Sequence, residues 1–297
     1  MKTTRFISVG MFILIICTSI TNLPGQTKKA PQGAINGLFS INDAGDQVYF
    51  SQGNLQYIGS APSPYWKFAD HQWEVLGKAQ DGDSSDKDRD LFGWGTSGYP
   101  HGAECYQPWS TLCFPDRYMA YGSYKCNLYN NGGKADWGFN PISNGGNVGK
   151  TWRTPTAVEF LYICGYRKTQ SGILFAKAQV NGINGLIILP DDWSPNTYTL
   201  HSTNEFHASF SSNVITLDKW NILEKKGAVF LPAAGQRLIN SAGRVGNDCW
   251  YWTSSTFGSL YKDQVHVVRC EDKEFCVNFC FGDRSNGNAV RLIQDAN

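Results

Sequence analysis

Apolar and polar residues alternate along Val48 to Tyr57, as a half-buried strand requires. Val180 to Leu189 reads as two strands around Gly182 and Gly185, and Ala228-Val-Phe-Leu-Pro-Ala as a short strand. From Trp250 to Ile293 the pattern is β throughout. Only two segments carry a helical period. Thr156 and Glu159 have capping-box spacing before the apolar run Val158-Glu-Phe-Leu-Tyr-Ile-Cys, which Gly165 closes. Residues 216–226 place Leu217, Trp220 and Ile222/Leu223 on one face, end in basic residues and stop at Gly227. Residues 100–150 are rich in Gly, Asn, Tyr and Trp without a period, which predicts ordered irregular loops. The expected class is α+β, with few helices, many short strands and long ordered loops.

Parity sharpens the reading of the last hairpin. Val265, Val267, Phe275, Val277, Phe279 and Phe281 are apolar at odd positions, which predicts that they fill the core. The even set is His266, Val268 and Cys270, then Cys276, Asn278 and Cys280. A turn centred on Lys273 puts Cys270 opposite Cys276, near enough for a disulfide. Unoxidised thiols, or another register, are the alternatives.

The first residues decide the expected compartment. Lys2 and Arg5 precede an apolar run from Phe6 to Ile16 that is too short for a stable membrane anchor. Residues 1–25 therefore read as a signal peptide, 26–36 as a linker, 37–293 as one domain and 294–297 as a tail. Ile16 stands where lipidation of Cys17 would need a small residue. The expectation is an exported protein, secreted, at the cell surface or in the periplasm, with no transmembrane segment in the mature chain. Losing Lys2 and Arg5 takes the formal charge from +1 to −1. A nearly neutral chain without a basic block is a poor partner for nucleic acid. Eight of the nine cysteines remain after the leader, which suits disulfides in an exported chain. Cys164 sits in the first helical pattern and reads as a buried small hydrophobe.

Three segments in order carry a resemblance. They are Trp152-Arg-Thr-Pro-Thr-Ala-Val-Glu-Phe160, Phe230-Leu-Pro-Ala-Ala-Gly-Gln-Arg237, and Gly246 to Ile293 with Tyr251-Trp-Thr-Ser-Ser255 and Ala289-Val-Arg-Leu-Ile293. This order resembles the bacterial C-type-lectin-like fold shared by the FISUMP (major paralogous domain) surface proteins and the formylglycine-generating-enzyme superfamily. Gly37-Leu-Phe-Ser, Phe50-Ser-Gln-Gly-Asn-Leu-Gln and Asp90-Leu-Phe-Gly-Trp-Gly-Thr-Ser-Gly are similar to exported proteins of that group. The resemblance implies a single lectin-like domain over residues 37–293. It does not fix function, which resides in sites grafted onto folds.

The enzyme branch holds copper on a C-terminal cysteine pair. Cys276 and Cys280 lie in the corresponding tail, but with three intervening residues rather than four and without the Arg-Gly-Gly-Ser-Trp run. Gly145-Gly-Asn-Val-Gly-Lys-Thr151 fails as a phosphate loop, because Asn144 replaces the first glycine and Pro155 follows too soon. Asp81, Asp83, Ser85, Asp86, Asp88 and Asp90 crowd one loop, with neither the Gly nor the Glu of a calcium loop, and read as solvated acids. The histidines show no ligand spacing, so no metal and no cofactor is expected.

A recognition surface remains. In the retroelement-diversified branch of the same fold, the C-terminal segment is the ligand face, and the composition of Phe257 to Arg284 fits either such a diversified segment or ordinary strands and loops. The expected face is Leu260, Tyr261, His266, Val268, Asn278, Asp283 and Arg284, with an unknown glycan or protein as ligand. The leading expectation is a non-enzymatic, adhesin-like binding module. The alternatives are a structural or tip subunit of a surface appendage and a copper-dependent oxygenase of the formylglycine-generating type.

Overall fold

The computed structural model describes residues 29–98, 104–110, 126–258, 263–277 and 280–296. The chain is α+β, built from small sheets and two α-helices among the described residues. Near the N-terminus, β1 (Phe39–Ser40) and β2 (Gln47–Phe50) pair antiparallel. The far edge of β2 is taken by β15 (Ile293–Asp295), with Phe50 opposite Ile293. Both ends of the described chain therefore meet in one three-stranded sheet. β3 (Leu55–Ile58) and β4 (Tyr65–Phe68) form a separate hairpin.

The first helix, α1 (Ala157–Gly165), starts as the sequence predicts. The Thr156 hydroxyl accepts from Glu159 N at 3.2 Å, and Glu159 accepts from Thr156 N at 2.7 Å. The second, α2 (Leu217–Lys225), buries Trp220 and Leu223 but leaves Leu217 and Ile222 exposed, a narrower apolar face than the pattern implies.

Between the helices, β5 (Phe175–Val180) and β6 (Ile183–Ile188) form a hairpin. Its two-residue turn is Asn181-Gly182, both at positive φ, the geometry that matches the strand twist. Gly185 does not divide a strand. It lies inside β6, where a Cβ would fall 2.4 Å from Phe230 Cζ. With β7 (Val214–Ile215) and β8 (Val229–Pro232), these strands form a sheet ordered β7-β5-β6-β8.

A small hairpin, β9 (Gln236–Leu238) and β10 (Ser241–Gly243), leads to the C-terminal sheet. That sheet consists of β11 (Cys249–Thr256), β12 (Gln264–Glu271), β13 (Glu274–Cys276) and β14 (Phe281–Asp283). β13 and β14 both pair with β12.

Both larger sheets are covered on two faces. Ile187 and Phe230 pack with Trp220 and Leu223 of α2 on one side of the first sheet. Leu186, Ile188 and Leu231 point the other way, into a core shared with α1 and with Tyr251, Val268 and Cys270. On the far side of the C-terminal sheet, Trp252, Val265 and Val267 meet an aromatic core containing Phe92, Trp94, Trp137 and Trp152. The layers run helix, sheet, core with α1, sheet, aromatic core. Residues 126–152 contribute to the last layer with short 3₁₀ turns and loops; residues 100–103 and 111–125 of the expected loop region lie outside the described residues.

The tail hairpin corrects the parity reading. Its turn is Asp272-Lys273, so Glu271 opposes Glu274, Cys270 opposes Phe275, and Cys276 opposes Arg269. Opposed residues share a face, so a one-residue change of register moves every side chain across the sheet. Phe275 and Val277 are buried as expected, but with Val268 and Cys270 rather than with Val265 and Val267. Cys270 and Cys276 therefore lie on opposite faces and are not bonded. Cys276 is joined to Cys280, and Cys270 is a free thiol. Phe279 lies outside the described residues.

Candidate functional site

One face of β12 passes from core to surface along its length. Gln264, His266, Val268 and Cys270 share that face by alternation. Near its C-terminal end, Val268 and Cys270 are covered by α1, whose Phe160, Ile163 and Cys164 join the same core. The helix begins where Ser255 Oγ accepts from Ala157 N at 3.1 Å. Past that level the cover is lost, and Gln264 and His266 are half-buried.

Pairing with β14 adds Phe281 opposite His266 and Asp283 opposite Gln264. The Phe257 ring lies 4.8 Å from His266 and 4.9 Å from Phe281, both tilted. Phe281 is 44% exposed. Gln264 Nε2 donates to Asp283 Oδ1 at 3.5 Å. The result is a three-ring aromatic shelf beside the half-buried Gln264 amide and the exposed Asp283 carboxylate. Burial lowers the His266 pKa, so the ring is neutral at physiological pH, with one nitrogen free to donate and the other to accept.

Of the seven residues expected on the ligand face, the structure brings His266 and Asp283 together here. Leu260, Tyr261 and Asn278 lie outside the described residues. Val268 does not face outward, because α1 covers it. Arg284 is also buried, its guanidinium 4.7 Å from the centre of the Trp94 ring. Its backbone N donates to Asp263 O, and desolvation pushes its pKa down to about 10. Arg284 thus supports the loop rather than presenting its charge. Phe257 and Phe281 are the shelf residues absent from the expected set. Phe281 was assigned to the core by odd parity, yet β14 is an edge strand that pairs only with β12.

At the other end of β12 lies a polar cleft of about 640 Å³ lined by Asn184, Ser209, Arg244, Asp248, Glu271 and Asp272, among others. Arg244 is paired with Asp248 and reaches Glu271 at 3.5 Å. Asp272 accepts from Ser209 Oγ at 2.6 Å and from Phe210 N at 3.1 Å. The Ser209 hydrogen bond is the main reason that its pKa lies below the ordinary carboxylate range. Asp272 is therefore held as an acceptor, not as a proton donor.

The acidic loop is less solvated than its composition implies. Asp81 accepts from Ala242 N, and Asp88 from Ser60 Oγ at 2.8 Å. Asp90 is fully buried. It accepts from Leu76 N at 2.7 Å and Gln80 Nε2 at 2.6 Å, yet burial outweighs both and raises its pKa to about 6.

Among the described residues, no group of three or more His, Cys, Asp or Glu side chains could hold a metal ion. The Cys276–Cys280 disulfide offers no thiolate to copper, since metal ligation needs the free thiolate. No helix among the described residues is long and apolar enough to cross a membrane. No family model, curated protein or solved structure matches the chain.

Proposed function

We propose that this is an exported, non-enzymatic binding module of the C-type-lectin-like kind, and that its ligand face is the shelf of Phe257, His266 and Phe281 with Gln264 and Asp283 beside it. The single observation that carries the reading is the shelf itself. Tilted rings with an exposed edge, next to an amide and a carboxylate, suit a ligand with apolar faces and hydroxyl rims, as a sugar ring has. The lectin-like assignment is supported by the packing of the segments that carry the resemblance. Trp152, Trp252 and Val290 share the aromatic core, and Tyr251 bridges to Ala289. Export is supported by the basic and then apolar pattern of residues 1–16.

The polar cleft favours a second reading, in which its preset acceptors and Arg244 hold a polar ligand. A glycan array probed with wild type, a His266→Ala/Phe281→Ala variant and an Arg244→Ala/Glu271→Gln variant separates the two. Loss of array binding in the first variant alone supports the shelf. Loss in the second alone moves the ligand to the cleft.

A further inference from the structure

Two buried thiols take no part in either surface. Cys249 begins β11, Cys270 lies near the end of β12, and the antiparallel register sets them directly opposite each other. Directly opposed residues have Cα atoms ~4.5–5.5 Å apart, within the ~4.4–6.8 Å span that a disulfide bridges. The Cys249 thiol donates to Leu231 O at 3.5 Å. Both side chains are essentially sealed from solvent, at 1% and 0% exposure. Cys276 does not compete for either sulfur, because it is bonded to Cys280.

We propose that Cys249 and Cys270 are a cross-strand disulfide site, oxidised by exchange with a small disulfide such as glutathione disulfide while the sheet assembles. One cysteine, as thiolate, attacks the oxidant and expels one glutathione thiolate, leaving a mixed disulfide. The other cysteine, also as thiolate, attacks the protein sulfur of that mixed disulfide and expels the second glutathione thiolate. The protein loses two thiol protons and two electrons, and the oxidant becomes two molecules of reduced glutathione. Burial raises the Cys249 pKa well above its ordinary value, so the closed sheet holds a poor nucleophile. Reaction therefore belongs to the folding chain, and the finished bond is shielded from reductant. The bond joins β11 and β12 at the end opposite residues 257–263, clamping the strand that carries His266 to the strand that leads into Phe257.

The test uses the full chain without the leader, reduced and unfolded in urea, then refolded in a glutathione redox buffer. The soluble, natively folded fraction is blocked with iodoacetamide, digested without reduction and mapped by mass spectrometry. The expected result is one linked species joining the Cys249 and Cys270 peptides, lighter than the free peptides by two hydrogens. The unfolding midpoint should exceed that of the same protein refolded in reductant by roughly 5–10 °C. Refolded protein whose Cys249 and Cys270 both become alkylated after unfolding, or are each linked elsewhere, overturns the proposal. The map is read on wild type, so no variant has to fold. As a control, Cys249→Ser should leave Cys270 alkylatable.

Discussion

At the scale of single residues, burial decides more than composition. Asp90 sits in a run of acids that reads as solvated, yet the apolar Leu91-Phe92 that follows draws it under the surface, where both neighbours are fully buried. Its folded pKa of about 6 is above the unfolded value of about 4. Between these values the folded state binds the extra proton, so this group's contribution to stability is present below pH 4. It is lost as pH rises to 6, by about 3 kcal/mol at most. Urea melts from pH 4 to pH 7 should show wild type losing stability relative to Asp90→Asn as pH rises. A pH-independent difference would contradict the assignment. Gly138 shows another residue-scale constraint. A Cβ there would stand 1.9 Å from the Trp152 carbonyl oxygen, a contact that only backbone movement relieves. Gly138→Ala should therefore lower the thermal midpoint far more than Gly243→Ala, whose Cβ would meet nothing within 4 Å. Equal midpoints would contradict the close approach. Neither constraint was legible in the sequence, because each depends on a neighbour distant along the chain or on burial that composition does not encode.

Elements were read best where the signal is local. The capping box at Thr156 and Glu159 completes itself within four residues, and α1 forms where it predicts. Thr156→Ala should cost about 1 kcal/mol in chemical denaturation, and an unchanged midpoint would show that the tertiary contacts of α1 make the cap redundant. The tail hairpin shows where such reading stops. β12 lies where the pattern places it, but the run 275–281 read as one strand is broken into β13 and β14, and the register depends on a turn of two residues rather than three. That difference moved Cys276 away from Cys270 and toward Cys280. Alternation alone could not reveal it, because this sheet has a core on each side. Where both faces are apolar, period-two patterning no longer distinguishes inside from outside.

For the whole molecule, the α+β class followed from the scarcity of helical periods, whereas the order of layers did not. Closure of the fold depends on contacts between residues far apart in sequence. Ile293 is fully buried, pairs with Phe50 of β2 and exchanges backbone hydrogen bonds with Arg153. Ile293→Ala should cost roughly 2–5 kcal/mol, read from denaturant melts, and a cost below 1 kcal/mol would mean that the terminal strand is dispensable. Of the residues expected on one face, His266 and Asp283 stay together at the surface, because α1 stops short of Gln264 and His266. Val268 and Arg284 leave it, being covered by α1 and held under Trp94 respectively. The central claim is that ligand recognition takes place on the aromatic shelf. Its most direct test is a calorimetric titration of the strongest array glycan into wild type and into folded His266→Ala/Phe281→Ala protein. The account predicts a dissociation constant raised at least tenfold in the variant, equivalent to ~1.4 kcal/mol. An unchanged constant in a variant with wild-type stability would contradict it.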